Sequence, residues 1–150
     1  MERLRLIGLG LALVAVCACQ KKENPVPTPT TTPAVEAPIS LTALNRGAKL
    51  FEEQCAQCHG PEAQGHPDWQ TPGVVAAPPL NGTGNEWKRS HTQLVAVIKN
   101  GAKRDGQFIM PAWNGRLSDA EIEDIISWFQ ALWPPEVYAT WRKTNPAPRG

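Results

Sequence analysis

The sequence predicts an all-α domain, with about three main helices and long loops wrapped around a bound group. Three observations carry that expectation. Three segments repeat apolar residues at helical spacing, and no alternating β-branched runs flank a two-residue turn. The stretches Gly60 to Trp87 and Gly101 to Leu117 are rich in Gly and Pro and put more than 40 residues into loops. So much irregular chain in a small domain holds a shape most readily around something large.

The totals narrow the class of protein. A length of 150 residues allows one ordinary domain with a tail. Fifteen Lys and Arg against 14 Asp and Glu leave a net charge of +1, which gives no pointer to nucleic acid. Four Cys are too few for a dense disulfide scaffold.

Residues 1–18 read as an export signal. Arg3 and Arg5 precede an apolar run of eleven residues from Leu6 to Val16, too short to span a membrane. Val16-Cys17-Ala18-Cys19 then resembles the bacterial lipoprotein signal, which implies lipid on Cys19. The expected location is the periplasmic face of a bacterial membrane, with a plain secretory signal and a soluble periplasmic protein as the alternative. Residues 19–40 hold Pro25, Pro27, Pro29, Pro33 and Pro38 among threonines and have no apolar period. Such a segment is an extended tether, reaching roughly 60 Å at ~3.1 Å per residue.

The main domain is expected over 41–133. Leu41, Leu44, Ala48 and Phe51 place a first helix from about Thr42 to Ala56. A second runs from His91 or Thr92 to Asn100, on Leu94, Val95, Val97 and Ile98, and Gly101 stops it. The third opens on the capping box Ser118-Asp119-Ala120-Glu121, followed by Ile122, Ile125, Ile126, Phe129 and Leu132, and Pro134-Pro135 ends it. Residues 134–150 form a C-terminal extension, whose Tyr138 and Trp141 are better suited to covering the domain than to meeting a partner.

The chemistry concentrates in Cys55-Ala56-Gln57-Cys58-His59. Two thiols three positions apart can form thioethers to the two vinyl groups of one haem, and the following histidine is carried under the iron. The expected cofactor is one covalent haem c held by Cys55 and Cys58, with His59 as axial ligand. A thioredoxin-like pair would want a βαβ context. A zinc site would recruit His66 or His91, and a plain disulfide is the simplest alternative. After export Met110 is the remaining methionine, in a loop 51 residues beyond His59, and it is the favoured sixth ligand. His66 and His91 are the runners-up. Six-coordinate iron leaves no place for substrate, which favours electron transfer over catalysis.

Leu41 to Leu132 resembles a class I c-type cytochrome. The matching residues are Gly47-x-x-x-Phe51, the Cys55–His59 motif, Pro78-Pro79-Leu80, Met110-Pro111-Ala112-Trp113 and the capped third helix. The resemblance implies that the first and last helices cross near a right angle, with Gly47 and Phe51 against Ile125 and Trp128. It also implies that the Pro78 carbonyl accepts a hydrogen bond from His59 and that Leu80 walls the haem. Trp87 and Trp113 are expected to line the pocket, Trp87 near a propionate.

The function expected is one-electron shuttling between periplasmic or membrane redox partners, in an electron carrier rather than an enzyme. Docking is assigned to Lys88, Arg89, Lys99, Lys103 and Arg104, with a lipid anchor to the membrane and no nucleic acid. The alternatives are an electron-entry subunit of a larger membrane oxidoreductase, a haem-based sensor or peroxidase, and a zinc-binding interaction module.

Overall fold

The computed structural model describes residues 40–146. The signal, Cys19 and the tether up to residue 39 lie outside the described residues, as do the last four positions.

Helix α1 spans Leu41–Gln54 and buries Gly47 and Phe51 on one face. The single helix expected through Ala56 is broken at Cys55, whose φ of −121° leaves helical geometry. One further turn, α2 (Ala56–His59), carries the rest of the cysteine motif and ends at Gly60. The break lets the motif turn away from the α1 axis, so that His59 is buried while Cys58 is exposed.

Helix α3 spans His91–Asn100, with Ser90 and Gln93 capping each other reciprocally, and it buries Leu94 and Ile98. Helix α4 spans Asp119–Ala131 and is entered through the expected box. The Ser118 hydroxyl accepts from the Glu121 amide, while the Glu121 carboxylate accepts from Ser118 N–H at 2.8 Å. Ile122, Ile125, Ile126 and Phe129 of α4 form the centre of the core with Phe51.

The expectation of no strands is corrected by a small antiparallel hairpin, β1 (Ala102–Arg104) and β2 (Gln107–Met110). Lys103 faces Phe108 and Arg104 faces Gln107, with a bulge between Ala102 and Lys103. Asp105 and Gly106 both have positive φ, 50° and 80°, which is the backbone of a two-residue turn that matches strand twist. Asp-Gly is the sequence signal for that turn. The flanking residues alternate poorly because most of the hairpin is exposed. Met110 therefore closes a strand rather than sitting in a free loop.

The α1–α4 crossing organises the domain. A β-carbon on Gly47 would lie 2.1 Å from the Asp124 carbonyl oxygen, so only glycine allows the helices this close. One turn on, the Phe51 ring lies 4.4 Å from the Trp128 ring, centroid to centroid. Arg46 pairs with the buried Asp124 across the same crossing.

Residues beyond Pro134 fold as helix α5 (Pro135–Thr144), with its proline at the first turn where a missing N–H costs nothing. Trp141 is buried and donates from Nε1 to the Arg89 carbonyl at 2.7 Å. Trp133 donates to the Leu80 carbonyl at 2.8 Å and meets the Trp141 ring edge-on at 5.7 Å. Asn145 Oδ1 accepts from His91 N–H at 2.9 Å. The aromatic residues of the C-terminal extension thus cover the domain, as their size suggests.

Gly47→Ala forces a methyl group into the Asp124 backbone and is expected to cost about 1–3 kcal/mol by overpacking. Denaturant unfolding at constant slope would read this as a lowered midpoint. An unchanged midpoint would show that the crossing yields without cost.

Candidate haem-binding site

His59 is the most constrained functional side chain. It is 8% exposed, and its Nδ1 donates to the Pro78 carbonyl at 2.9 Å. Burial pushes its pKa down, opposed by the Pro78 hydrogen bond, so the ring is held neutral with its proton on Nδ1. The Nε2 lone pair is then the one free to ligate a metal, and the carbonyl fixes the ring plane.

The Pro78 carbonyl is itself held by several contacts. His59 O accepts from Gly65 N–H at 2.7 Å, and Ala63 O accepts from Leu80 N–H at 2.7 Å. The Ala77 carbonyl accepts from His66 N–H at 2.9 Å. At Gly65, with φ of 71°, a β-carbon would sit 2.4 Å from Pro79 N. The chain after the motif and the Pro78–Leu80 segment are therefore packed backbone to backbone. The 60–77 region is the scaffold that brings Pro78 to His59.

Cys55 and Cys58 are both free thiols, half-buried and exposed respectively. Burial first, then the neighbouring Cys58, pushes the Cys55 pKa up to about 11, which keeps it as the thiol at neutral pH. Met110 is half-buried against the core at the end of β2. Leu80 and Trp87 are also half-buried against the core, and Trp113 is 6% exposed. Trp113 carries the Arg116 guanidinium 4.3 Å above its ring and bonds through its backbone N–H to the Ile98 carbonyl at 3.1 Å. The Trp87 indole N–H is taken by the Gly84 carbonyl at 3.0 Å, so this residue offers a pocket its ring rather than its donor.

The alternative histidines have surface partners. His91 Nε2 is 2.8 Å from Glu123 Oε2, and His66 Nδ1 accepts from Asp68 N–H at 3.1 Å. Among the described residues no three His, Cys, Asp or Glu side chains form a group able to hold a metal ion. The donors fit a haem c instead: two unpaired thiols, one neutral buried imidazole with a fixed Nδ1 proton, and one thioether.

The cations expected from the sequence to dock a partner are not equivalent in the fold. Lys99 is tied to Asp119 at 2.7 Å. Arg104 donates from Nη1 to the Val74 carbonyl at 3.0 Å, and Lys103 lies 4.3 Å over the Phe108 ring. These two residues frame a surface on which Val74, Val75, Phe108 and Ile109 are exposed large hydrophobics. Lys88 lies over the Trp87 ring at 5.5 Å.

Glu86 is a buried residue that sequence reasoning passed over. It is 5% exposed in a single 3-10 turn, Glu86–Lys88, and its Oε1 accepts from Gly82 N–H at 2.7 Å. Its Oε2 is buried without a hydrogen-bond partner, and burial pushes its pKa up. A glutamate beside Trp87, Lys88 and Arg89 reads as surface charge, so no local signal marks it.

A family model described as cytochrome C oxidase, cbb3-type, subunit III matches residues 42–129, more than half of the chain. The chain belongs to this family. It has the cytochrome c fold, and its cofactor is a covalently bound haem c. The cbb3-type cytochrome c oxidase subunit CcoP of Azospirillum brasilense is 42% identical over 84 residues, 55% of this chain and 26% of that protein. The subunit FixP of Bradyrhizobium sp. (strain ORS 278) is 36% identical over 86 residues, 57% of this chain and 26% of that protein. FixP of Rhizobium meliloti (strain 1021) is 29% identical over 97 residues, 65% of this chain and 30% of that protein. The chain spans about a quarter of the length of the first two. No solved structure matches it.

Proposed function

We propose that this chain is a one-haem electron-transfer module that delivers electrons to a membrane oxidoreductase. The observation that carries the reading is His59, buried in the Cys55–His59 turn and locked by Nδ1 onto the Pro78 carbonyl. Similarity to subunits of cbb3-type oxidases supports an electron-entry role better than free shuttling between soluble partners.

In this reading Cys55 and Cys58 would attach the haem, and His59 and Met110 would ligate its iron. Bound there, the haem supplies an iron that cycles between Fe(III) and Fe(II). The chain's own task is to keep both ligands still. Pro78 fixes the imidazole and makes it a better donor. Met110, set by the hairpin, contributes a neutral sulfur, which favours Fe(II) more than a second histidine would. Leu80, Trp87 and Trp113 line the pocket and keep water out, which limits the reorganisation that accompanies each transfer.

The spectrum of the purified protein tests this directly. Sharp low-spin haem bands and the weak red band of a methionine–Fe(III) bond are expected. Met110→Ala should lose the red band and begin to bind carbon monoxide when reduced, and persistence of that band would refute the assignment. Cys55→Ala with Cys58→Ala should leave no haem that resists acid extraction.

We assign docking to the cationic residues around the apolar surface of Val74, Val75, Phe108 and Ile109. Lys103 and Arg104 lead, Lys88 and Arg89 support them, and Lys99 contributes least because Asp119 already neutralises it. The partner is an acidic face of a redox protein. Electron transfer to such a partner should slow by roughly tenfold or more from low to physiological salt. Lys103→Glu with Arg104→Glu should remove most of that dependence, and rates indifferent to salt would exclude this face.

Membrane attachment through lipid on Cys19 and the 19–40 tether would keep the domain near its partner at high effective concentration. Among the described residues no helix is long and apolar enough to cross a membrane. Cys19→Ser should move the protein from the membrane fraction to the soluble periplasm, and unchanged fractionation would reject the anchor.

A further inference from the structure

Glu86 is built into the far end of the segment that orients His59. From Pro78, whose carbonyl takes the His59 proton, the chain runs through Leu80, whose carbonyl takes the Trp133 indole proton, to Gly82. Gly82 N–H then donates to Glu86 Oε1 at 2.7 Å. A β-carbon at Gly84 would lie 2.4 Å from the Pro79 carbonyl oxygen and 2.5 Å from Glu86 Oε2. The carboxyl is thus folded against the backbone of the same segment from two sides. Its second oxygen is buried with no partner, an arrangement that a surface structural glutamate has no reason to adopt. The next residue, Trp87, is one of the residues assigned to the haem pocket.

We propose that Glu86 is a proton-linked positioning residue: its carboxyl clamps the Pro78–Gly84 segment behind His59 and gains a proton when the haem site gains an electron. The inference rests on haem seated at Cys55, Cys58 and His59. Adding one electron to the site makes an ionised carboxylate in a poorly solvated position costlier. Glu86 then takes one proton from solvent, which reoxidation returns. Electron and proton are both accounted for, and no other reactant is needed.

The charged surroundings do not supply a competing explanation. Pro78 to Gly84 contains no titratable side chain. The turn carries Lys88 and is followed by Arg89, both exposed, with Lys88 placed over Trp87. Helix α5, packed on this turn, carries Glu136, Tyr138, Arg142 and Lys143, with Arg142 bonded to the Asn145 carbonyl. The balance on Glu86 is burial, which raises its pKa, against the backbone N–H groups of Glu86 and Gly82, which lower it.

The test is the midpoint potential of the haem-loaded full chain measured against pH, from about pH 4 to 9, a window that spans ordinary and raised carboxyl values. Wild type should show a potential that falls as pH rises through the Glu86 range. Glu86→Gln keeps an acceptor for Gly82 N–H but cannot ionise, so it should lose that fall, while Glu86→Asp should keep it with a displaced midpoint. A Gln variant with the wild-type profile overturns the inference. A purely structural role would move the potential equally at every pH.

Folding stability provides a second readout. A carboxyl whose pKa is raised on folding contributes stability below its unfolded value of about 4.3 and loses it as pH rises through the folded value. Glu86→Gln should therefore gain stability relative to wild type towards neutral pH, and a difference that does not change with pH counts against the proposal. If neither variant folds, redox-difference infrared spectra of the wild type decide: a protonated carboxyl band that grows on reduction supports it, and none overturns it. A chain with no Soret band would refute the haem assignment itself. A haem-loaded chain with a flat potential would refute only the role of Glu86.

Discussion

The hydrogen bond from His59 Nδ1 to the Pro78 carbonyl is the constraint on which the rest of the site depends. It selects one tautomer, fixes the plane of a buried ring and leaves a single free lone pair, on Nε2. A bond of this kind contributes only about 0.5–1.5 kcal/mol net. Its importance is geometric, since it fixes the direction of the one lone pair through which the ring could ligate a metal. Much of the domain's irregular chain serves to hold that one carbonyl in place. The 60–77 loop packs against it through Gly65, Ala63 and His66, and Trp133 anchors Leu80 from the opposite side.

That anchoring explains why the C-terminal segment is part of the domain. Trp133 holds the Leu80 carbonyl, and Trp141 holds the Arg89 carbonyl just beyond Glu86 and Trp87. Two indole donors thus brace both ends of the segment between Leu80 and Arg89. Their buried rings supply the apolar contact that makes those hydrogen bonds cheap to keep: burying a large apolar side chain contributes about 1.5–3 kcal/mol. Helix α5 is the element that brings Trp141 to this position. The same aromatic cluster meets His91, so the start of α3 is fixed by the same surface.

The helix crossing and the hairpin are set by different physics. On the crossing side, Gly47 permits direct approach of α1 to the α4 backbone, and the Phe51–Trp128 contact fills the space beyond it. On the hairpin side, Met110 is set by a short ladder closed by the Asp105-Gly106 turn, with little burial of its own. The crossing therefore rests on packed core, and the position of Met110 on backbone pairing. Apolar residues are exposed around that hairpin, and this is also where cations cluster. A face of this composition suits a transient encounter, in which desolvation of the patch and charge orientation act together.

The family resemblance implied Gly47 at the helix crossing; the sequence by itself determined the cysteine motif, the haem it implies and the capped fourth helix. Each is a local pattern whose chemistry depends only on spacing along the chain. The Asp105-Gly106 turn signal went unread, because the hairpin residues around it are mostly exposed and do not alternate. The break at Cys55 was also hidden, since a helix-compatible run gives no sign that a motif must turn off the axis. Only the tertiary structure decided which cations are free, since Lys99 meets Asp119 from another element. It alone placed Glu86 in the interior: its carboxyl is folded against Gly82 and Gly84, although the residues that follow it in sequence include Lys88 and Arg89. Local periodicity records what each element contributes to its own face, whereas burial of a polar group is decided by what other elements bring to it.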